Sequence, residues 1–282
     1  VGRQLLQFQE GIMLNDQIDA IGIVRNNIHL PGIPSLRTSL LWGWNEVGRS
    51  NAGRNDTANV FGLFNSADMQ DLSWNLDLVY VTDEDAVGDS IDSFHLGFST
   101  IQRIGFYSTA FRVNSSIAEG GKGNARAGTG TLFSAETSVT PFKSDDIVYF
   151  NEYAAVGNFT QVGREPIVGG PLGALGILFA SPSLGNFLSE LDNFTNEEAG
   201  IVLGYEAFWS DGQQANNHRK SLTLEIAGIK DLDDAPIDDF AFGFEYRTRL
   251  AHRIQWQVDS AYSVLEDRDD GFSLRTEIRY QF

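Results

Sequence analysis

The sequence predicts an all-β fold, a single antiparallel β-barrel crossing a membrane, and three observations carry that expectation. The first is Phe272–Phe282, where Phe272, Leu274, Thr276, Ile278, Tyr280 and Phe282 share one parity and Ser273, Arg275, Glu277, Arg279 and Gln281 take the other. A period of two marks a strand. At ~3.3 Å per residue this segment is long enough to cross a bilayer at a tilt, longer than most soluble strands. The second observation is that the pattern recurs upstream, and the third is that short and long connections alternate along the chain.

Composition removes several other classes. The 282 residues carry 38 acidic and 20 basic side chains, a formal charge of -18. No basic surface of the kind that neutralises phosphates can be built from that balance, so nucleic acid is not expected as a partner. Cysteine is absent, which removes disulfides, thiolate metal sites and haem attachment. No run approaches the ~20 apolar residues of a membrane-spanning helix; the longest candidate is broken by Gly and Pro between Gly169 and Pro182. The chain opens at Val1 with no basic n-region or apolar h-region, so an export signal would have been removed or would lie outside this sequence.

Strands are expected to begin near residues 2, 18, 36, 58, 72, 93, 103, 130, 146, 200, 219, 239, 253 and 272, about fourteen in one domain over 1–282. The clearest are Phe240–Tyr246, with Phe240, Phe242, Phe244 and Tyr246 against Glu245, Arg247 and Arg249, and Ile254–Val264, with Trp256, Val258 and Tyr262 against Gln255, Gln257 and Asp259. Leu72–Thr82, Leu36–Asn45 and Ser221–Ile229 repeat the pattern more weakly. Membrane barrels have short periplasmic turns and longer external loops. With a periplasmic C-terminus, the turns fall at Asn27–Ser35, Ser66–Asp71, Ile101–Gln102, Pro141–Asp145, Asp211–His218 and Ala251–His252. The loops fall at Glu46–Thr57, Asp83–Asp92, Ser115–Thr129, Val156–Ala199, Asp231–Asp238 and Leu265–Gly271.

Alternation alone also suits a soluble sandwich, which buries its apolar face. A membrane barrel inverts the arrangement, turning apolar side chains to lipid and polar ones to a wet lumen. The strand lengths favour inversion, and so do the aromatics near strand ends, Trp42, Trp44, Tyr80, Trp209, Trp256 and Tyr280, placed as an interfacial girdle would be. The lumen is then expected to be lined by Arg247, Arg249, Glu245, Arg275, Glu277, Arg279, Glu225 and Asp259.

The ending Phe-Ser-Leu-Arg-Thr-Glu-Ile-Arg-Tyr-Gln-Phe resembles the C-terminal signal of Gram-negative outer-membrane proteins, an amphipathic last strand closing on an aromatic. The resemblance implies outer-membrane insertion and recognition of Tyr280 and Phe282 by the barrel-assembly machinery. Val1-Gly2-Arg3-Gln4, with Gln9-Glu10-Gly11 and Asn15-Asp16, resembles a mid-barrel stretch of alginate-export-type large porins. That similarity implies strands before Val1 and a barrel of 16–18 strands. The chain departs from alginate exporters in its acidity and in lacking a dominant arginine-lined conduit.

The long connection Val156–Ala199 contains an apolar, Gly-rich stretch, Pro166–Leu191. A connection of this length is usually functional. Its apolar residues, among them Pro166, Leu172, Leu175, Phe179 and Phe187, suit either a constriction or plug folded into the lumen or an external loop packed on neighbours or another subunit. Asp231, Asp233 and Asp234, and the Glu266–Asp270 cluster, are oxygen-rich loop groups that could hold Ca²⁺, although neither has EF-hand spacing; soluble charged turns explain them as well. No nucleophile elbow, phosphate loop or zinc motif is present, and His29, His95, His218 and His252 are scattered. The expected function is a porin for small hydrophilic solutes or ions. The alternatives are a docking barrel plugged by its long loop, holding a protein partner or second copy there, and an outer-membrane hydrolase.

Overall fold

Long alternating runs commit most of this chain to strands, and the computed structural model joins them into one antiparallel ladder. It describes residues 2–9, 13–44, 47–50, 53–55, 58–82, 92–119, 128–141, 144–159, 162–164, 176–180, 197–210, 219–232, 239–251, 253–265 and 270–280. The strands are β1 (Gly2–Phe8), β2 (Leu14–Leu30), β3 (Ile33–Trp44), β4 (Val47–Ser50), β5 (Gly53–Asn55), β6 (Asn59–Asp68), β7 (Leu72–Thr82), β8 (Asp92–Ile104) and β9 (Tyr107–Glu119). They continue with β10 (Gly128–Val139), β11 (Ile147–Gly157), β12 (Gly163–Arg164), β13 (Glu198–Ser210), β14 (Arg219–Asp231), β15 (Asp239–Ala251), β16 (Ile254–Val264) and β17 (Gly271–Tyr280), with one short helix, α1 (Ile177–Ala180).

Fourteen of these form the main ladder, β1-β2-β3-β6-β7-β8-β9-β10-β11-β13-β14-β15-β16-β17, each strand beside its sequence neighbour. The expected number is observed, and every strand starts within four residues of its expected position. Among the described residues no pairing joins β1 to β17. β4 and β5 form a separate hairpin inside the expected Glu46–Thr57 loop.

Two turns differ most from expectation. β2 runs on to Leu30, with register shifts between Arg25 and Leu30 and a positive φ of 57° at Asn27, so the connection to β3 shrinks to residues 31–32. β8 likewise continues past Ile101 and Gln102, and the chain reverses at 105–106, where Gly105 has φ 62°. Glycine takes that left-handed conformation without steric penalty. The β2–β3 connection is thus tighter than the hydrophobicity pattern alone indicated, and the β8–β9 reversal lies four residues later along the chain.

The faces are inverted relative to a soluble sheet. On β8, Phe94, Leu96 and Phe98 are 43%, 40% and 40% exposed, while Ser93, His95 and Ser99 are buried. On β9, Phe111 and Ile117 point outward and Arg112, Asn114 and Ser116 are enclosed. Apolar side chains outside and polar ones inside are stable only when the outer solvent is apolar. Trp209, Tyr246 and Trp256 lie together at the short-turn end of the outer face, with ring centroids 6.2 and 5.9 Å apart. At the long-loop end Trp42 stacks on Phe61, and the Tyr80 and Tyr262 hydroxyls donate to Asp92 and Asp270 at 2.8 and 2.7 Å. Rings with a polar tip at both rims match the two interfaces of a bilayer.

Two apolar clusters sit inside, towards the long-loop end. One gathers Leu6, Met13, Leu14, Ile18, Val60, Phe64, Val79, Val81 and Val162, with Phe8 stacked on Phe64. The other gathers Leu132, Tyr153, Ala155, Phe159, Leu178, Val202, Ala227 and Ala241. Wall positions that look lumenal by parity yet are apolar are thus covered by chain folded in from above.

Candidate functional site

The connection after β11 explains what those clusters cover. Phe159 turns back against β10, where Gly130 has no side chain; a Cβ there would stand 2.0 Å from the Phe159 nitrogen. The Val162 N–H then donates to the Met13 carbonyl at 3.0 Å, and β12 pairs in parallel with β2 at Leu14 and Asn15. Six strands of the ladder separate β11 from β2, so this connection crosses the interior to reach the other wall.

It next appears at Gly176–Ala180, against β14 and β15. Gly176 has φ 113°, and a Cβ there would lie 2.5 Å from Glu225 Oε1, so glycine permits both the turn and the approach. The Ile177 N–H donates to Glu225 Oε1 at 2.7 Å and the Leu178 N–H to Oε2 at 2.9 Å, while the Tyr149 hydroxyl donates to Oε1. Unsatisfied N–H groups at a helix start are thereby capped by a strand carboxylate. Leu178, fully buried, rests on Gly243 of β15. The β1–β2 connection also enters: Gln9 donates to Asp77 at 2.5 Å, and Gln9 and Met13 lie over Gly97 of β8.

Below α1, towards the short-turn end, is a cavity of about 340 Å³ lined by Glu136, Tyr149, Ile177, Glu206, Glu245 and Arg247 among others. One ladder row places Glu206, Thr223, Glu245, Asp259 and Arg275 side by side on successive strands. Carboxylates crowd one part of this wall, and the guanidinium groups gather towards β17.

The eight expected lumen residues all fall on the enclosed parity of β14–β17. Glu245 accepts from Arg247 Nε at 2.7 Å and from Gln257 Nε2 at 2.7 Å, and Gln257 also donates to Asp259 at 2.8 Å. Glu277 receives both Arg275 and Arg279. Arg249 sits opposite Gln255 one row further towards the turns. The arginines are thus partly neutralised within their own wall, whereas Glu225 is engaged by the inserted segment.

Of the expected constriction residues, Phe179 lies within α1, and Pro166, Leu172, Leu175 and Phe187 lie outside the described residues. Asp231 ends β14 exposed, Asp233 and Asp234 lie outside the described residues, and no metal-holding cluster occurs among those described. Tyr280 ends β17 on the outer face, 53% exposed, and Phe282 lies outside the described residues. His95 bonds Ser93 at 2.9 Å. Sequence reasoning missed Tyr149, Glu206 and Glu136, which belong to the same enclosed parity, and Gln9 and Asp77, whose meeting across 68 residues has no local signal.

These features define a membrane β-barrel whose lumen is polar below and narrowed above by its own chain. No family model matches the sequence, and no curated protein matches it. Among solved structures, the outer membrane protein OprD from Pseudomonas aeruginosa aligns at TM-score 0.56 with 14% identity over 94% of this chain and 69% of its own. The outer membrane protein opdK from the same organism aligns at 0.61 with 12% identity over 99% and 75%. Acinetobacter baumannii OccAB3 aligns at 0.62 with 14% identity over 98% and 72%. The chain therefore has the antiparallel barrel fold of these outer-membrane proteins.

Proposed function

We propose that this protein is an integral outer-membrane channel through which small hydrophilic solutes and ions diffuse passively, with a preference for cations. The observation that carries the reading is the inverted sheet: apolar side chains face out, charged ones face in, and the long connection folds inward to narrow the interior. Glu206, Glu245 and Arg247 line an interior cavity, where a wet lumen would solvate their charges. Charged groups on a lumen wall act through a low-dielectric frame and bias which ions enter. The barrel fold shared with OprD and OccAB3 supports the same localisation and class.

Swelling of proteoliposomes in isotonic solutes tests the proposal. Protein that is folded, as judged by heat-modifiable mobility, is expected to admit small sugars and amino compounds at rates that fall with solute size. Liposomes that stay impermeable to the smallest of these solutes would overturn it.

A further inference from the structure

We propose that Glu225 is a latch: its carboxylate, fixed on strand β14, holds Gly176–Ala180 in the lumen and so sets the width of the channel. The inference rests on the channel reading and adds the residue that keeps the narrowing in place. A free pore-lining carboxylate would turn its oxygens to water and passing ions. Here both oxygens are occupied by the chain itself, with backbone N–H groups of Ile177 and Leu178 on one side and the Tyr149 hydroxyl of β11 on the other.

The geometry is made for this contact. Gly176 leaves room for the carboxylate, Gly243 leaves room for Leu178, and Gly204, opposite Tyr149 on β13, leaves room for the Tyr149 ring, where a Cβ would stand 2.1 Å from Cζ. Three strands, β13, β14 and β15, thus each give up or supply a side chain around one point. Hydrogen bonds to a charged acceptor are stronger than neutral ones, and an unpaired carboxylate in this enclosed place is costly. α1 spans a single helical turn and has no length to stabilise itself, so its position depends on such anchors. Glu225 is a positioning residue: it acts on solute passage through the backbone it holds.

The test uses the full chain and two readouts. The first is a cysteine pair, Leu178→Cys with Gly243→Cys, oxidised in purified folded protein; the parent pair is expected to cross-link readily, and adding Glu225→Ala is expected to lower the yield several-fold. Glu225→Gln, which retains an oxygen acceptor, is expected to recover much of the yield, and Tyr149→Phe to lower it slightly. The second readout is unitary conductance without the cysteines, expected to rise in Glu225→Ala and much less in Glu225→Gln.

An unchanged cross-link yield in Glu225→Ala would overturn the latch. Equal conductance changes in Ala and Gln variants would overturn it too, because they would assign the effect to charge alone. If the unsubstituted protein shows no conductance, the channel reading fails, and the cross-link still decides whether Glu225 holds the segment. Should Glu225→Ala fail to fold, Glu225→Leu, which fills the same space without an acceptor, carries the same comparison.

Discussion

Leu178 rests on the bare backbone of Gly243, so closely that a Cβ at position 243 would stand 2.7 Å from Leu178 Cδ2. That contact ties a segment of the long connection to the barrel wall, one strand over from the carboxylate that caps it. Widening the wall residue should displace the segment without touching the strand ladder. Gly243→Val is therefore expected to assemble normally and to give larger or noisier single-channel steps. Steps identical to the unsubstituted protein would show that the segment does not bound the conducting path.

Charge in the cavity below α1 sets the second expectation. Glu206 and Glu245 line it together with Arg247 and with Glu136, which Arg112 of β9 pairs at 3.2 Å. Replacing Glu206 and Glu245 with Gln should shift the reversal potential in a salt gradient away from cation preference. The shift should be larger at low ionic strength, where the screening length grows from ~10 Å at 0.1 M to ~30 Å at 0.01 M. An unaltered reversal potential at both strengths would remove these carboxylates from the selectivity argument.

The outer face holds a local exception to its apolar character. Glu152 lies at the middle of β11 on the outward parity, exposed, between Ala135 of β10 and Ile201 of β13. Charged groups on the lipid face destabilise barrels most near the bilayer midplane, with acids costing less than the ~2–4 kcal/mol of bases. Glu152→Leu is expected to stabilise the folded protein by about 1 kcal/mol in urea titrations from lipid vesicles. Destabilisation would indicate that Glu152 meets a polar partner in the membrane.

At the turn before β11, Asp146 accepts the Phe208 N–H at 3.0 Å and the Tyr205 hydroxyl at 2.8 Å. The Phe208 N–H foremost, with Ser144 and Tyr205, holds its carboxyl below the ordinary value of 3.8. A depressed folded-state pKa contributes stability that is fully present above the unfolded value and is lost as pH falls through the folded one. The urea midpoint of the unsubstituted protein should exceed that of Asp146→Ala at neutral pH, and the gap should close only below the usual aspartate range. A gap that persists there would assign the turn's stability to packing.

Strand identity was legible where the faces invert: Phe244 and Tyr246 alternate with Glu245 and Arg247, which face a different solvent, and a period of two records that directly. The number of strands, and the shared parity of Arg247, Glu245, Arg275 and Glu277 opposite the apolar face, followed from the same pattern. Turn placement was less legible. Ile101 and Gln102 look like a break in hydrophobicity, yet the strand continues to Ile104 and turns at Gly105, whose positive φ is a backbone requirement that polarity does not encode. The inward path of the long connection was legible only as a choice between lumen and exterior, since its apolar residues suit either. Contacts across the lumen, Gln9 with Asp77 and Val162 with Met13, join residues far apart in sequence, and no local pattern announces them.

The most direct measurement is single-channel conductance of the purified protein in planar bilayers, with and without residues 165–191, a deletion that removes α1. The account predicts stable steps from the intact protein and larger ones from the deletion. Silence from intact protein shown to be folded, or steps unchanged by the deletion, would contradict a channel narrowed by its own long connection.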